Sequence, residues 1–385
     1  MSRIAMFGGT FNPPHNGHIA AANACVKQLM LDKLIFIPTA IPPHKALPAL
    51  TATAEERLEM TRLASQLVPK SVVSDMELAR GGASFTSDTL QSLREAYPDD
   101  ELWIIIGTDM AETFERWHQP QRICDIARLA LVARGEGEKE RIKAYAQSIR
   151  QKFNARIDII DNTPLEMSST EARGGRNEQL PESVRGCISE KNLYVDVDAL
   201  RDVAKERLSE KRYLHTVGCE QMAVKLAEQY GGDVKIVRIA ALLHDITKEL
   251  SLQQQLNLCE KWSIIHDYDS DNIDAVIHAD TAAAVAEYEF GFGARVCSAI
   301  KKHTVGAEIM SLEDKIVFVA DACEENRTYP EAEKVRQLAF SDLDEAITYI
   351  VRRTAERVAQ KGKKPYYMSE KVLKAFSKDR ERNGE

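Results

Sequence analysis

Residues 8–18 read GGTFNPPHNGH and follow a first apolar run at residues 3–7. Glycine behind a strand lets the backbone turn sharply and approach a ligand closely. A helix is predicted to start near Gly17 with Asn16 as its cap, and the two histidines of the stretch flank that start. Backbone N–H groups and the dipole at a helix N-terminus bind anions. The stretch therefore predicts a phosphate-binding loop suited to a triphosphate, with imidazole donors placed to stabilise charge that shifts during attack.

The first half of the chain alternates apolar runs with amphipathic segments. The runs predict strands at 3–7, 33–38, 71–75, 102–107, 128–133 and 156–160. Helices are predicted between them, for example at 54–67 and 86–97. This alternation predicts right-handed crossovers and a parallel, Rossmann-like α/β sheet covered on both faces. Ligands bind such sheets where loops leave the carboxyl ends of the strands.

Beyond about residue 195 the strand-like runs stop, and amphipathic stretches such as VKIVRIAALLHDITKEL predict helices only. The change of pattern predicts two domains, residues 1–193 and 194–385. The predicted fold class is an α/β parallel-sheet domain followed by an all-α domain.

Composition limits the partners and the location. The 385 residues carry a formal net charge of −8, whereas binding to polymeric nucleic acid usually needs a basic surface. The locally basic stretch 352–382 is interpreted as a solvated helix face. No apolar run approaches the roughly 20 residues of a membrane span, and no secretory signal is recognisable. The seven cysteines form no CxxC pair, which indicates a reducing cytoplasm. We expect small-molecule substrates, with neither polymeric nucleic acid nor membrane as a partner; homo-oligomer formation stays open.

Further motifs follow the loop in a fixed order: IPPHK (41–45), SFTSDTL (84–90), IIIGTDMAETFERWHQP (104–120), LVAR (131–134) and MSSTEARGG (167–175). With GGTFNPPHNGH they resemble the nucleotidyltransferase superfamily related to class I tRNA synthetases. Within it, the match is nearest to bacterial nicotinate-nucleotide adenylyltransferases. The resemblance covers about residues 1–193. It implies transfer of AMP from ATP, with Mg²⁺, to nicotinate mononucleotide in NAD biosynthesis, giving deamido-NAD and pyrophosphate.

The resemblance also implies the site residues. His15 and His18 would be catalytic. The residues expected to bind ATP are Gly8, Gly9, Thr10, His15, His18, Gly107, Asp109, Ser169, Thr170 and Arg173. The residues expected to bind nicotinate mononucleotide are Thr86 near its carboxylate, Trp117 stacked on the pyridine ring, and Arg134. The sequence departs from the family's usual Asp, Tyr and large aliphatic residue at Asn12, Phe85 and Ala172, and no phosphate ligand is lost.

The implied reaction needs no protein nucleophile. The phosphate of the mononucleotide attacks the α-phosphorus in line, and the protein supplies positioning and charge stabilisation. An aminoacyl-tRNA synthetase is the alternative for the same loop signature. The acidic chain and the lack of an evident tRNA-binding module argue against it.

The second half carries a candidate metal centre around LLHDITK (242–248). His244 and Asp245 are adjacent in a predicted apolar helix, where a charged carboxylate is costly unless it is paired. Further candidate ligands occupy predicted helical positions: His215, His278, His303 and Asp321. Imidazole and carboxylate without thiolate suit Fe, Mn or Zn. Six potential ligands predict one or two transition-metal ions.

YLHTVGCEQMA, ALLHDITKEL, AIKKHTVG and KIVFVADACEENRTYP occur in this order over about residues 200–335. They resemble the HD phosphohydrolase superfamily and, within it, the YqeK-type proteins. The resemblance implies symmetrical hydrolysis of diadenosine tetraphosphate (Ap4A) to two ADP, with iron as the expected metal. Asp245 and Lys248 would be catalytic; Lys248, like Arg327, would neutralise a phosphate.

Two alternatives for the helical half stay open. It would hydrolyse another nucleotide, such as a cyclic dinucleotide or a nucleoside monophosphate, or it would be a nucleotide-sensing or scaffolding module with an inactive site. Metal analysis and a product screen separate these alternatives.

Overall fold

The computed structural model describes residues 1–41, 51–133, 135–162, 168–173, 177–265 and 273–382. The chain divides into two compact units, Met1–Ile188 and Ser189–Glu385. This division falls a few residues before the predicted one. Ser189 Oγ donates to the carbonyl of Gly291 (2.7 Å), and Asn192 Oδ1 accepts from the N–H of Gly293 (3.3 Å). These hydrogen bonds tie residues 189–192 to the helical unit.

The first unit contains a six-stranded sheet in which all strand pairs are parallel. The strands are β1 Arg3–Gly9, β2 Lys33–Pro38, β3 Ser71–Val73, β4 Glu101–Gly107, β5 Arg128–Val132 and β6 Ile157–Ile160. The order across the sheet is β3-β2-β1-β4-β5-β6. The predicted α/β parallel sheet is therefore confirmed. β3 is shorter than the predicted run at 71–75 because a short helix follows at Met76–Arg80.

Helices cover both faces of this sheet. The helices up to residue 190 are α1 Asn16–Gln28, α2 Ala54–Ser65, α3 Met76–Arg80, α4 Thr86–Ala96, α5 Thr108–Thr113, α6 Pro120–Ile126, α7 Lys139–Phe153, α8 Ser169–Arg173 and α9 Glu182–Glu190. Successive residues of β1 enter two different cores: Ile4 and Met6 face one, Ala5 and Phe7 the other. Burial on both faces explains why the strands read as continuous apolar runs.

The second unit is helical throughout its described residues. Its helices are α10 Val197–Arg207, α11 Glu210–Tyr230, α12 Val234–Leu243, α13 Leu252–Lys261, α14 Ile273–Tyr288, α15 Ala294–Lys302, α16 Leu312–Cys323, α17 Pro330–Ala339, α18 Leu343–Gln360 and α19 Tyr367–Arg382. Its core runs from α10 to α19, with fully buried side chains such as Leu226, Ile239 and Val317. The predicted all-α second domain is confirmed. No described helix is both long and apolar enough to span a membrane.

Three local predictions are corrected. The cap of α1 is His15, and Asn16 is already the first helical residue. His244 and Asp245 do not lie within a helix, because α12 ends at Leu243 and a turn follows. His303 likewise follows the last residue of α15. In each case the functional side chain stands at a helix end, where the backbone is free to change direction.

Candidate functional site

The first site lies where the strand order reverses. β1 and β4 are neighbours, while their crossovers lead to opposite sides of the sheet, and the carboxyl ends of such strands form a crevice. A cavity of about 650 Å³ occupies this position. It is lined by these predicted residues: Gly8, Gly9, Thr10, His15, His18, Thr86, Gly107, Asp109, Trp117, Ser169, Thr170 and Arg173. The remaining predicted contact, Arg134, lies outside the described residues.

The glycine turn, formed by Gly8, Gly9 and Thr10 at the carboxyl end of β1, has little room for side chains. A Cβ on Gly9 would come within 3.1–3.3 Å of the Phe11 ring. Phe11 is buried and has a φ of 47°, in the left-handed region. This packing leaves the backbone of residues 8–10 as the wall of the cavity, which suits close approach of a phosphate chain.

The two histidines are held against each other at the start of α1. Their ring centroids are 3.7 Å apart, and the backbone N–H of His15 donates to His18 Nδ1 (3.2 Å). Because His18 Nδ1 accepts, a neutral His18 carries its proton on Nε2. His18 therefore offers an Nε2–H donor beside the helix N-terminus.

Helix α8 closes over the loop that precedes α1. Ser169 Oγ donates to the carbonyl of Pro13 (2.9 Å), and Arg173 Nη1 donates to the carbonyl of Asn12 (2.6 Å). Arg173 Nη2 also donates to Thr170 Oγ1 (3.0 Å). The guanidinium and hydroxyls thus stand opposite the glycine turn, across the same cavity.

Aromatic side chains line the other end of the cavity. Trp117 is half-buried and its Nε1 donates to Thr113 Oγ1 (3.4 Å). The rings of Phe85 and His118 lie 4.6 Å apart. Thr86 opens helix α4 at this end. A flat aromatic ligand fits such a wall, with polar groups at its edge.

Two buried charges at this site were not predicted. Arg57 is 1% exposed, and its guanidinium donates to the carbonyls of Thr10 (2.8 Å), Thr39 (2.7 Å) and Ala40 (3.2 Å). Through the bond to Thr10 it fixes the backbone of the glycine turn, and it adds positive charge beside that turn. The sequence could have indicated this buried arginine, because Arg57 lies on the apolar face of α2, one turn before Met60.

The second buried charge is Glu77, which lines the cavity at its aromatic end. Burial raises the pKa of its carboxyl, although Thr89 Oγ1 donates to Oε1 (2.7 Å). Oε2 has no hydrogen-bond partner among the described residues. No sequence pattern distinguished this carboxylate from a solvated one.

The helical unit brings all six predicted metal ligands together. His215 comes from α11, His278 from α14 and Asp321 from α16, while the other three stand at the ends of α12 and α15. Each of the five other than Asp321 is buried. Two candidate ligand groups share Asp245: His215 with His244, and His278 with His303.

The distances place the two oxygens of Asp245 toward different groups. Oδ2 lies 3.4 Å from His244 Nε2 and 3.7 Å from His215 Nε2. Oδ1 lies 3.3 Å from His278 Nε2 and 3.7 Å from His303 Nε2. Asp321 Oδ1 completes the first group at 3.0 Å from His215 Nε2. Asp245 could therefore offer one carboxylate oxygen to each of two candidate ligand groups.

The orientation of the imidazoles suits metal ions. Nδ1 of His244 and of His303 each lies 2.6 Å from a backbone carbonyl and donates to it, which leaves Nε2 as the ring atom available to a metal ion. Both Nε2 atoms face carboxylate oxygens of Asp245. His244 Nε2 is buried without a hydrogen-bond partner among the described residues, whereas His215 Nε2 lies 3.0 Å from Asp321 Oδ1. Imidazole and carboxylate groups that converge in this way suit a cation between them.

The pKa shifts follow from the interactions of these buried groups with one another. Burial acts to raise the pKa of the Asp245 carboxyl, but the surrounding imidazoles, His244 foremost, hold that pKa well below its usual range. Burial lowers the pKa of His278 to about 4, so this imidazole is neutral near pH 7 and available as a ligand. Burial opposes protonation of His215 too, but hydrogen bonds with Asp321 and Glu324 raise its pKa to about 9.

Charged neighbours surround the ligands. Lys248 Nζ lies 3.1 Å from His278 Nδ1, and burial lowers the pKa of this lysine. Arg327 donates to Asp321 Oδ1 (2.9 Å). Arg212 and Glu324 were not predicted: Arg212 donates to Asp245 Oδ2 (2.8 Å), and Glu324 Oε1 lies 3.2 Å from His215 Nδ1. Arg212 lies three residues before His215, and Glu324 lies three residues after Asp321. Residues at this spacing are neighbours on a helix, so the spacing could have indicated both of them.

Comparison with known proteins assigns each unit to a family. Residues 6–175 match the cytidylyltransferase-like family model, and residues 212–326 match the HD domain model.

Among relatives, a Mycoplasma pneumoniae protein named "Probable nicotinate-nucleotide adenylyltransferase/Ap4A hydrolase" is 31% identical over 85% of this chain and 90% of its own length. A Citrifermentans bemidjiense protein named "Probable nicotinate-nucleotide adenylyltransferase" is 36% identical over 50% of this chain and 99% of its own length. One solved structure is that of a Clostridium acetobutylicum protein described as a predicted HD superfamily hydrolase involved in NAD metabolism. The match covers 48% of this chain and 98% of that chain, with 28% sequence identity and a TM-score of 0.46.

The relative from Mycoplasma aligns across both units, so the similarity extends to the fusion itself. The chain is an enzyme with a nucleotidyltransferase unit and an HD phosphohydrolase unit, and it belongs to the family of nicotinate-nucleotide adenylyltransferase/Ap4A hydrolase fusion proteins.

Proposed function

We propose that the α/β unit transfers AMP from ATP, supplied as its Mg²⁺ complex, to nicotinate mononucleotide, giving deamido-NAD and pyrophosphate. The observation that carries this proposal is the single cavity at the strand reversal, which has phosphate-type donors at one end and an aromatic wall at the other. The names of the relatives suggest which nucleotides react. The cavity has room for both ATP and the mononucleotide.

Each end of the cavity has a role in this reaction. The triphosphate lies along the Gly8–Thr10 backbone, between the His15–His18 pair and the Ser169–Arg173 helix. The phosphate of the mononucleotide attacks the α-phosphorus in line, and pyrophosphate leaves with the charge that develops. The Nε2–H of His18 and the N–H groups of α1 stabilise that charge, so the chain needs no nucleophile of its own.

The aromatic end selects the mononucleotide. Trp117 stacks on the pyridine ring, Thr86 donates to its carboxylate, and Asp109 and Gly107 border the nucleotide at the end of β4. Arg134 stays a proposed contact to the substrate. We expect the acid to be preferred to the amide, because a hydroxyl and an N-terminal amide of α4 recognise a carboxylate better than a neutral group.

The test is a coupled assay on full-length protein with either nicotinate or nicotinamide mononucleotide. Wild type is expected to form deamido-NAD faster than NAD. Trp117→Ala is expected to raise KM for the acid by about tenfold, the loss of one stacking contact. Trp262→Ala, in the helical unit, is the matched control and is expected to leave KM unchanged. Absence of deamido-NAD from wild type would refute the proposal.

For the helical unit we propose metal-dependent hydrolysis of Ap4A to two ADP. The carrying observation is the Asp245 carboxylate, whose two oxygens lie 3.3–3.7 Å from the Nε2 atoms of two groups of imidazoles. His215, His244, Asp245 and Asp321 would hold one ion, and Asp245, His278 and His303 a second, with iron as the proposed metal. Divalent ions at such a site supply a water of lowered pKa and neutralise phosphate charge.

The chain's own residues orient the ligands and the substrate. Glu324 fixes the ring of His215 through Nδ1, and backbone carbonyls fix His244 and His303, so that each Nε2 points at the centre. Lys248 and Arg327 flank the ligands on two sides and place positive charge where the phosphates of the substrate must lie.

Product analysis tests this second activity. Protein purified without chelator is expected to contain a transition metal and to convert Ap4A to ADP alone. Formation of AMP with ATP would show a different cleavage, and turnover of cyclic dinucleotides or nucleoside monophosphates in preference to Ap4A would show a different substrate. The seven free cysteines support a reducing compartment, and we place the enzyme in the cytoplasm.

A further inference from the structure

A second, smaller cavity opens beside the metal ligands. Its volume is about 150 Å³, and His303 and Asp321 form part of its wall. The opposite wall is contributed by α18 and by the turn between α16 and α17. We call it the arginine cleft, defined by Arg327, Arg353 and Arg357 together with Tyr329.

Three arginines and two carboxylates, Asp321 and Glu331, line the arginine cleft. Arg353 pairs with Glu331 (3.1 Å) and with Glu356 (2.5 Å), and Arg327 pairs with Asp321, which a metal ion would also engage. Arg357 has no carboxylate of a described residue within salt-bridge distance; its guanidinium lies over the Tyr329 ring, 5.5 Å from the centroid. An arginine without a carboxylate partner, beside the proposed hydrolytic centre, favours an anionic ligand.

The cleft has fixed walls. The hydroxyl of Tyr329 donates to the carbonyl of Ala322 (2.7 Å), which holds the ring in place. Arg336 donates to the carbonyls of Cys323, Glu324 and Arg327 and so fixes the turn that carries Arg327. Arg353 Nε is buried and has no hydrogen-bond partner among the described residues. Glu331 and Glu356 hold its two Nη atoms, so Nε is its remaining donor, and a guanidinium held in place loses little freedom when it binds phosphate.

Size limits what the cleft accepts. Pockets that enclose drug-sized ligands start at about 300 Å³, so the 150 Å³ here suits phosphoryl groups and not a whole nucleoside. A polyphosphate chain is the anion that reaches from the metal ligands into such a space.

We propose that the arginine cleft binds the phosphoryl groups next to the hydrolysed one, so that the helical unit selects nucleotides joined by a long phosphate chain. This inference rests on the proposed hydrolase function. In symmetrical cleavage, water oxygen bonds to one central phosphorus, and the bond from that phosphorus to the bridging oxygen breaks. The bridging oxygen leaves on the second ADP, and the proton of water passes to solvent. The cleft would hold the diphosphate of this leaving ADP and stabilise the charge it gains.

The test uses full-length, metal-loaded protein as wild type, Arg353→Gln and Arg357→Gln. Arg352→Gln is the matched control, because Arg352 is exposed on the same helix and does not line the cleft. We expect KM for Ap4A to rise about ten- to a hundredfold in each cleft variant, the loss of a hydrogen bond to a charged group. Metal content and AMP transfer by the α/β unit should stay at wild-type levels, as should every property of the control.

A titration with inorganic tripolyphosphate gives a readout independent of hydrolysis. Wild type is expected to show two classes of site: the α/β cavity, weakened by His18→Ala, and the arginine cleft, weakened only by Arg353→Gln or Arg357→Gln. Orthophosphate should bind the cleft more weakly than tripolyphosphate.

Cleft variants that bind tripolyphosphate and Ap4A as wild type does would overturn the inference. If wild type fails to hydrolyse Ap4A but its tripolyphosphate binding still depends on Arg357, the proposed hydrolase function fails and the cleft assignment stands.

Discussion

At the scale of single residues, the first site depends on donors whose orientation is fixed before substrate arrives. His18 is the clearest case, because its Nδ1 is engaged by the backbone N–H of His15 and its donor is therefore Nε2. A donor fixed in this way contributes most when negative charge develops in the transition state.

We predict that His18→Ala lowers kcat for deamido-NAD formation by about a hundredfold or more while changing the affinity for nicotinate mononucleotide little. The measurement is steady-state kinetics combined with a direct titration of the mononucleotide. Lys27→Ala, an exposed position on α1, is the control and is expected to behave as wild type. An unchanged kcat would remove His18 from the catalytic group.

Glu77 gives a pH-dependent prediction at the same scale. Its pKa is raised in the folded protein, so the folded state holds the proton more tightly than the unfolded state does. The stability that this group contributes is therefore present below its unfolded pKa, near 4.5, and is lost as pH rises through the raised folded pKa.

Glu77→Gln is thus expected to unfold at a higher temperature than wild type near pH 7, with the difference shrinking as pH falls toward 4.5. Thermal unfolding of the α/β unit, followed over this pH range, checks the sign. Glu95→Gln, at an exposed position on α4, should show no such trend. A difference that grows as pH falls would contradict the assignment.

At the scale of elements, the strands were predictable and the helix ends were not. Runs such as KLIFIP at β2 are apolar without interruption because the sheet is covered on both faces. The end of α12 at Leu243 is marked by neither glycine nor proline. Its turn has local hydrogen bonds such as Lys248 N–H to the carbonyl of Asp245 (2.8 Å), and Asp245 contacts Arg212 and His278 from other helices. The contacts with other helices are tertiary and leave no local pattern.

The candidate sites divide in the same way. Residues inside an ordered motif, such as His15 and Asp245, were found because the motif places them. Arg57 and Glu324 support the sites through the backbone of Thr10 and the ring of His215, and such roles depend on the tertiary structure. An arginine buried among carbonyls and a carboxylate behind an imidazole look in sequence like ordinary charged residues of a helix.

Helix α11 shows how closely such supporting residues pack. A Cβ on Gly218 would collide with the Glu324 carboxylate that orients His215. Gly218→Ala is expected to lower metal affinity about ten- to a hundredfold, the usual effect of disturbing a group that orients a metal ligand. Metal content after dialysis against a graded chelator measures it.

Gly186→Ala in α9 is the matched control, because a Cβ there meets no atom within 4 Å. It is expected to retain metal and to gain about 0.5–1 kcal/mol of stability from the helix propensity of alanine. Equal metal content in the two variants would contradict the role given to Glu324.

At the scale of the whole molecule, each unit has its own core and its own site. Because the proposed ligands come from several helices, a bound metal would contribute to the folding energy of the helical unit. We predict that chelation lowers the unfolding temperature of the helical unit and leaves that of the α/β unit unchanged. Scanning calorimetry before and after chelation resolves the two transitions. Re-addition of metal should restore the first, and a uniform shift of both would contradict independent units.

The central claim is that one chain carries two separate active sites, one for adenylyl transfer and one for metal-dependent hydrolysis. The most direct measurement assays both activities and metal content on the same preparations of His18→Ala and Asp245→Ala, with the exposed Asp202→Ala as control. We predict that Asp245→Ala loses metal and Ap4A hydrolysis but keeps deamido-NAD formation, that His18→Ala does the reverse, and that the control keeps all three. Loss of both activities in either variant that remains folded, or full Ap4A hydrolysis by Asp245→Ala, would contradict the account.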